Sequence, residues 1–200
     1  MSGLIPERIP YGSVGKTGVG WWGMMTLVVT EACLFGYLLF SYAFTFIQSG
    51  PSFLPSKPPS LHLAGPNTVL LLLSSVAVWW GERGIKRGRR GQFLLGVGIA
   101  IALGVIFVLI QMKEWRSKEF TISSSAYGSH YFTITGFHMA HVVLGLVGLI
   151  AILLWGWRGY FGPERHTGVL VTSLYWHFVD VVWLTVFCAF YLAPYLGVGG

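Results

Sequence analysis

The residues of this chain that could carry chemistry are a few ionisable side chains set within long apolar stretches. His177 and Asp180 lie three positions apart, a spacing that places two side chains on one face of a helix. His138 and His141 have the same spacing in an earlier stretch, and Glu31 lies within the first one. Such groups are costly to insert into a membrane, so each requires a partner or a function.

Five apolar stretches position these residues and predict an all-α membrane bundle. The chain has 200 residues, of which 54% are hydrophobic and 10% are charged, a composition typical of membrane proteins. The stretches approach the ~20 residues that a helix needs to cross a bilayer. We predict a cytoplasmic segment over residues 1–20 and a single transmembrane domain over residues 21–200. Its five spans are predicted at residues 21–47, 66–84, 92–114, 129–157 and 168–195.

The basic residues predict the orientation of this bundle. The loop at residues 82–90 contains five Lys and Arg residues, and short loops rich in Lys and Arg lie on the cytoplasmic side of a membrane. With five spans, the N-terminus is then cytoplasmic and the C-terminus lies outside. The net charge of +6 therefore reflects topology and contact with anionic lipid, and no nucleic-acid partner is expected.

The ionisable groups are predicted to share one layer near the middle of the membrane, given a rise of about 1.5 Å per helical residue. No Lys or Arg lies at that depth, so the acids and histidines have mainly one another as partners. We expect Asp180 to pair with His177 or with a histidine of the fourth span, as a contact between helices. Glu31 has no ionisable neighbour on its own span. We expect it to be a protonated acid that faces protein, lipid headgroups or a water-filled cleft. The predicted buried polar contacts are His138, His141, His177 and Asp180.

Two other functions fit the same residues less well. Histidines on different spans could ligate a haem b in a membrane anchor, and His141 with His177 would suit that role. Only two spans offer imidazoles, however, and a metal site on helices needs further converging ligands. A stand-alone proton or solute carrier is disfavoured because no inverted repeat or broken helix is evident.

Glycine residues in the third and fourth spans are predicted to let helices approach one another closely. They are Gly96, Gly98 and Gly104 in one span and Gly136, Gly145 and Gly148 in the other.

Six short motifs, in order along the chain, resemble subunit III of the haem–copper respiratory oxidases. The best match is the segment from Tyr175 to Leu184. The others are Trp22-Gly23-Met24 with Glu31, Asn67-Thr68 with the run to Ser74, Gln111 with Glu114, Phe120-Thr121-Ile122-Ser123 with Tyr127-Gly128-Ser129, and Thr135-Gly136-Phe137-His138 with His141 and Gly145. The chain is similar to the short, five-helix bacterial type of this subunit, which lacks the first two of seven helices.

The resemblance implies a non-catalytic subunit of a proton-pumping aerobic oxidase, with a cytochrome c oxidase favoured over a quinol oxidase. Such a subunit lies in the bacterial inner membrane with subunits I and II, packs on subunit I, and can be part of a larger respiratory supercomplex. It holds phospholipids in a cleft and supports proton uptake and the stability of the oxidase. Haem and copper belong to the partner subunits, so no catalytic residue and no metal are implied here. Glu31 corresponds to the intramembrane carboxylate of the family, which lies beside the lipid cleft.

Three departures from the family pattern limit what can be carried over. Ser124 stands where the family has an acid in the loop after the third span. Glu82 and Arg83 replace paired histidines, and Leu170 replaces an acid five residues before Tyr175. The resemblance therefore assigns no role to these positions.

Overall fold

The computed structural model describes residues 19–55 and 61–193, which form five long helices and no strand. Each helix is long and apolar enough to cross a membrane, which confirms the predicted all-α membrane bundle. In lipid, helices of this kind satisfy every backbone polar group internally. The helices are α1 (Val19–Ser49), α2 (Leu61–Lys86), α3 (Arg90–Arg116), α4 (Ala126–Trp157) and α5 (Thr167–Phe187).

Short irregular helices and one proline distinguish the observed spans from the predicted ones. A 3₁₀ turn at Gly50–Phe53 follows α1, and a π-helix at Cys188–Leu192 continues α5. The predicted second span at residues 66–84 lies within α2, which begins at Leu61, so Pro66 is inside the helix and not at its start. Proline is favoured in the first turn of a helix, but here a further turn precedes it. Residues 1–18 of the predicted cytoplasmic segment, and the end of the predicted fifth span after residue 193, lie outside the described residues.

The two ends of the bundle differ in charge. We call the end with the loops at residues 87–89 and 158–166 the basic end, and the opposite one the far end. At the basic end, the Arg90 Nε donates to the Gly156 carbonyl oxygen at 2.9 Å, and the same guanidinium bonds the Trp157 carbonyl. The last carbonyls of a helix lack partners within the helix, so Arg90 caps α4 and ties it to the start of α3.

Two tryptophans of α5 form the centre of the core. Trp176 and Trp183 are both fully buried. The Trp176 Nε1 donates to the Ser74 hydroxyl at 3.0 Å, and the Trp183 Nε1 donates to the Thr68 hydroxyl at 2.9 Å. Both acceptors lie on α2, which runs antiparallel to α5. The two bonds therefore set the register between these helices.

Glycines of α3 and α4 make room for the indole of Trp176. A Cβ atom at Gly104 would lie 2.9 Å from the ring carbon Cη2, and one at Gly145 would lie 2.8 Å from Cε3. Both distances are shorter than van der Waals contact. Trp176 thus packs directly against the backbones of α3 and α4 while its nitrogen bonds α2.

The helices α2 and α3 also meet backbone to backbone. A Cβ at Gly96 would lie 2.7 Å from the Ala77 carbonyl oxygen and 2.8 Å from the Gly81 Cα. By contrast, a Cβ at Gly98 or Gly136 would have no neighbouring atom of the described residues within 4 Å. The predicted role of glycine in helix packing therefore applies to some of these positions and not to others.

Replacing Gly96 with alanine is expected to destabilise the protein. The added methyl group would press on backbone atoms that move only if α2 and α3 separate, and such overpacking costs about 1–3 kcal/mol. The control is Gly98→Ala, two residues along the same helix, where the added methyl group has open space and alanine favours the helix. Thermal unfolding of the two purified variants in detergent measures the difference. Equal melting temperatures would contradict the close packing of α2 on α3.

The helix α1 lies at the edge of the bundle, against α4 and α5. Its only buried side chains among the described residues are Phe35 and Tyr42, which are seven positions apart. The opposite face is strongly apolar and open, with Tyr37 70% and Ile47 80% exposed. A single narrow stripe therefore holds α1 on the other helices.

Candidate functional site

The helices α1 and α4 bring Glu31 and His141 together. The Glu31 Oε2 lies 3.1 Å from the His141 Nε2. The side chains are 29% and 15% exposed, respectively. Phe35, one turn along α1, packs edge-on against the imidazole with ring centroids 5.1 Å apart. The pair therefore lies on the contact stripe of α1, at the boundary between the bundle and its surroundings.

The hydrogen bonds of His141 define how many protons the pair holds. The His141 Nδ1 lies 2.7 Å from the Phe137 carbonyl oxygen. A carbonyl only accepts, so Nδ1 must carry a proton and donate it. If the imidazole is neutral, Nε2 accepts a bond from a protonated Glu31. If it is charged, Nε2 donates to an ionised Glu31. In both states one proton is shared and the net charge of the pair is zero.

The predicted hydrogen bond between Asp180 and a histidine does not form, because neither oxygen of Asp180 has a hydrogen-bond partner among the described residues. Glu31, predicted to face protein, lipid headgroups or a water-filled cleft, faces protein and bonds His141 of α4. The reason is tertiary, because the packing stripe of α1 faces α4 at the level of His141.

Asp180 and His177 both lie near Ser75 of α2. The Ser75 hydroxyl bonds the His177 Nδ1 at 2.6 Å. It also lies within interaction range of the Asp180 carboxyl group, although no hydrogen bond of acceptable geometry forms there. Asp180 is only 4% exposed, whereas His177 is half-buried. His177 and Asp180 therefore do not bond each other, and both lie near Ser75 instead.

His138 is buried completely in the core. Its Nε2 lies 3.2 Å from the Val179 carbonyl oxygen of α5 and therefore donates to it. The imidazole packs against Trp183 with ring centroids 4.9 Å apart. Its Nδ1 is buried without a partner in the described part of the chain. His138 joins α4 to α5 through the backbone and not through an acid.

The contacts of His141 disfavour the alternative in which this residue ligates a haem b. Both ring nitrogens of His141 are engaged, one by Glu31 and one by the Phe137 carbonyl. Axial ligation by His141 would require the imidazole to leave Glu31. Within residues 19–55 and 61–193, no three His, Cys, Asp or Glu side chains converge as the ligands of a metal ion would.

A further polar cluster at the far end is missed by the predicted set of site residues. Glu114 is buried at 2% exposure and lies 2.9 Å from the Lys118 Nζ. Its Oε1 also accepts from the Tyr191 hydroxyl at 2.6 Å. The spacing of Glu114 and Lys118, four residues apart, is a recognisable ion-pair signal. The participation of Tyr191 has no such signal, because the π-helix that turns it inward is not evident from the sequence.

These features define a class of protein. It is a multi-pass helical membrane protein in which the buried His138 bonds the backbone of a neighbouring helix, and one acid–imidazole pair lies at the edge of the bundle.

The chain belongs to the cytochrome c oxidase subunit III family. The model of the family described as "Cytochrome c oxidase subunit III" matches residues 13–195. The chain is also 34% identical over 177 residues to "Cytochrome c oxidase subunit 3" of Equus caballus, Osphranter robustus and Sus scrofa. Each alignment covers 85% of this chain and 68% of the relative. These matches confirm the resemblance drawn from the six motifs.

Substitution of Glu31 distinguishes the two states of the pair. The amide introduced by Glu31→Gln can donate to the Nε2 of a neutral His141, as a protonated acid does. We therefore expect Glu31→Gln to leave the protein within about 0.5 kcal/mol of its native stability, whereas Glu31→Leu loses a hydrogen bond and about 1 kcal/mol. Thermal unfolding in detergent compares the two variants. If Glu31→Gln is as damaging as Glu31→Leu, the native pair is ionised and not neutral.

Proposed function

We propose that the chain is the non-catalytic subunit III of a proton-pumping aerobic terminal oxidase of the cytochrome c type. The family match over residues 13–195 carries the proposal, because it includes all five helices in order. In this role the chain packs on subunit I in a complex that also contains subunit II. Electrons pass through haem and copper held by these partners. The complex is assigned to a bacterial inner membrane, with the basic end of the bundle in the cytoplasm.

The exposed face shared by α2 and α5 supports contact with another membrane subunit. Ser75 and His177 bond each other there and are only half-buried. Their apolar neighbours Val76 and Val181 are 58% and 59% exposed. Polar side chains that face hydrocarbon are costly, so this face suits a protein partner better than lipid. We assign it to the contact with subunit I.

The surroundings of α1 support a role in lipid binding. An apolar cavity of about 240 Å³ lies between α1 and the last turns of α5, and its lining includes Leu39, Phe46, Leu54 and Ala189. The cavity lies on the same side of α1 as Phe35 and Tyr42, which hold this helix in place. Acyl chains of phospholipids would fill such a space without any polar partner.

The Glu31–His141 pair suits a supporting role in proton uptake. It is partly exposed at the edge of the bundle, where a net charge facing hydrocarbon would be costly. Because the two groups share one proton, the pair remains neutral whichever of them carries it. A quinol oxidase subunit would have the same features. Oxygen consumption with each electron donor distinguishes the two kinds of oxidase.

Purification of the tagged chain from its native membrane in mild detergent tests this assignment. We expect two larger subunits to co-purify, and the complex to show a haem absorption band and to consume oxygen with reduced cytochrome c. Oxygen consumption with a quinol alone would replace the cytochrome c assignment by the quinol oxidase. The chain separated from its partners is expected to show no Soret band. A band in the separated chain would instead support the haem b anchor.

The proposed contact with subunit I predicts a specific weakness. Replacing His177 with leucine removes the bond to Ser75 and any polar contact with the partner, so the chain should be lost from the complex more readily in increasing detergent. The control is Phe40→Leu, on the exposed apolar face of α1, away from α2 and its contact with α5. The amount of chain retained per haem measures the effect. Equal retention of both variants would count against this face.

A further inference from the structure

The polar cluster at the far end lies where α3, α4 and the π-helix meet. We call Gln111, Glu114, Lys118, Tyr131 and Tyr191 the far-end cluster. All except Lys118 are buried to 2% exposure or less, and the Lys118 side chain is 11% exposed. Lys118 therefore separates the cluster from solvent. The cluster takes no part in the function proposed above, and it shares no residue with the Glu31–His141 pair or with the Ser75–His177 contact.

One carboxylate oxygen of the cluster is fully used. The Glu114 Oε1 accepts from the Tyr191 hydroxyl at 2.6 Å, and the Tyr131 hydroxyl oxygen lies 3.5 Å from it. It also lies 2.9 Å from the Lys118 Nζ. The two tyrosine hydroxyls bond each other at 2.8 Å. The carboxylate and the ammonium group balance, so the cluster as a whole is neutral.

Other polar atoms of the cluster are not used. The Glu114 Oε2, the Gln111 Nε2 and the Gln111 Oε1 are buried and have no hydrogen-bond partner in the described part of the chain. Gln111 lies close enough to the Tyr131 hydroxyl to interact with it, but the contact does not reach hydrogen-bond geometry. Gln111 and Glu114 are three residues apart on α3 and so point to the same side of the helix. Unpaired donors and acceptors therefore occur together at one place.

We infer that the far-end cluster is an internal water-binding site, centred between Gln111 and Glu114. A water molecule donates and accepts, as these atoms require, whereas a metal cation or an anion would upset the balance of Glu114 and Lys118. Buried waters typically make about three hydrogen bonds to polar groups that would otherwise be unpaired. The π-helix supports this assignment, because it turns Tyr191 towards Glu114 and closes the site from α5. Such segments are frequent at functional positions.

Hydroxyl-radical footprinting of the purified complex tests the inference. X-rays generate the radicals from water, so a buried aromatic ring is oxidised only when water is bound beside it. Tyr131 is expected to be oxidised although it is fully buried. The internal control is Trp176, which is equally buried and whose nitrogen is bonded to Ser74. Labelling of Tyr131 no greater than that of Trp176 would overturn the proposal.

Two further measurements separate bound water from local opening. Gln111→Met keeps the length of the side chain but removes both polar atoms, and most of the Tyr131 labelling should be lost. Unchanged labelling in a folded variant would overturn the site.

N-acetylimidazole is too large to enter a closed site, and is expected to leave Tyr131 of the native protein unmodified. Its reaction there would show that the far end opens, and would also overturn the proposal. If Gln111→Met does not assemble, the comparison of Tyr131 with Trp176 in the native protein decides.

Discussion

The structure depends on the need to pair two indole nitrogens inside a membrane bundle. Trp176 and Trp183 are fully buried, and their N–H groups find acceptors in the hydroxyls of Ser74 and Thr68. Leaving either donor unpaired would incur the full cost of its desolvation. The two bonds therefore fix α5 against α2. The rings then set the spacing of the remaining helices, since Gly104 is among the positions where only hydrogen fits beside an indole.

The ionisable groups occupy the positions that this packing leaves to them. With the tryptophans directed at α2, Asp180 lies near Ser75, and His138 reaches the Val179 carbonyl. The helix α1 rests on a narrow stripe, whose buried side chains in the described part of the chain are Phe35 and Tyr42. The Glu31–His141 pair lies on that stripe. Because the pair shares one proton and has no net charge, it can lie between protein on one side of α1 and lipid on the other. This is the setting proposed for subunit III.

Features that depend on the local sequence were predicted, whereas features that depend on contacts between distant residues were not. Apolar length predicted five helices, because a membrane helix satisfies its backbone within itself. Glycine content predicted close packing, but not that Gly96 would touch α2 while Gly98 would face open space. The two residues lie on different sides of the same helix, and only the side of Gly96 faces α2. The pairing of Asp180 with a histidine failed for the same reason, since depth alone does not define which helices face each other.

The sequence by itself determined the class of the protein, its five membrane helices and its family, because composition and short motifs are local properties. It also predicts which ionisable residues lie near the middle of the membrane, because the rise of a helix converts position into depth. Only the tertiary structure decided that His141 is the partner of Glu31 and that Tyr191 closes over Glu114. These contacts join residues 110 and 77 positions apart. They depend on how each helix is rotated, and the packing of buried rings against glycine and hydroxyl groups sets that rotation.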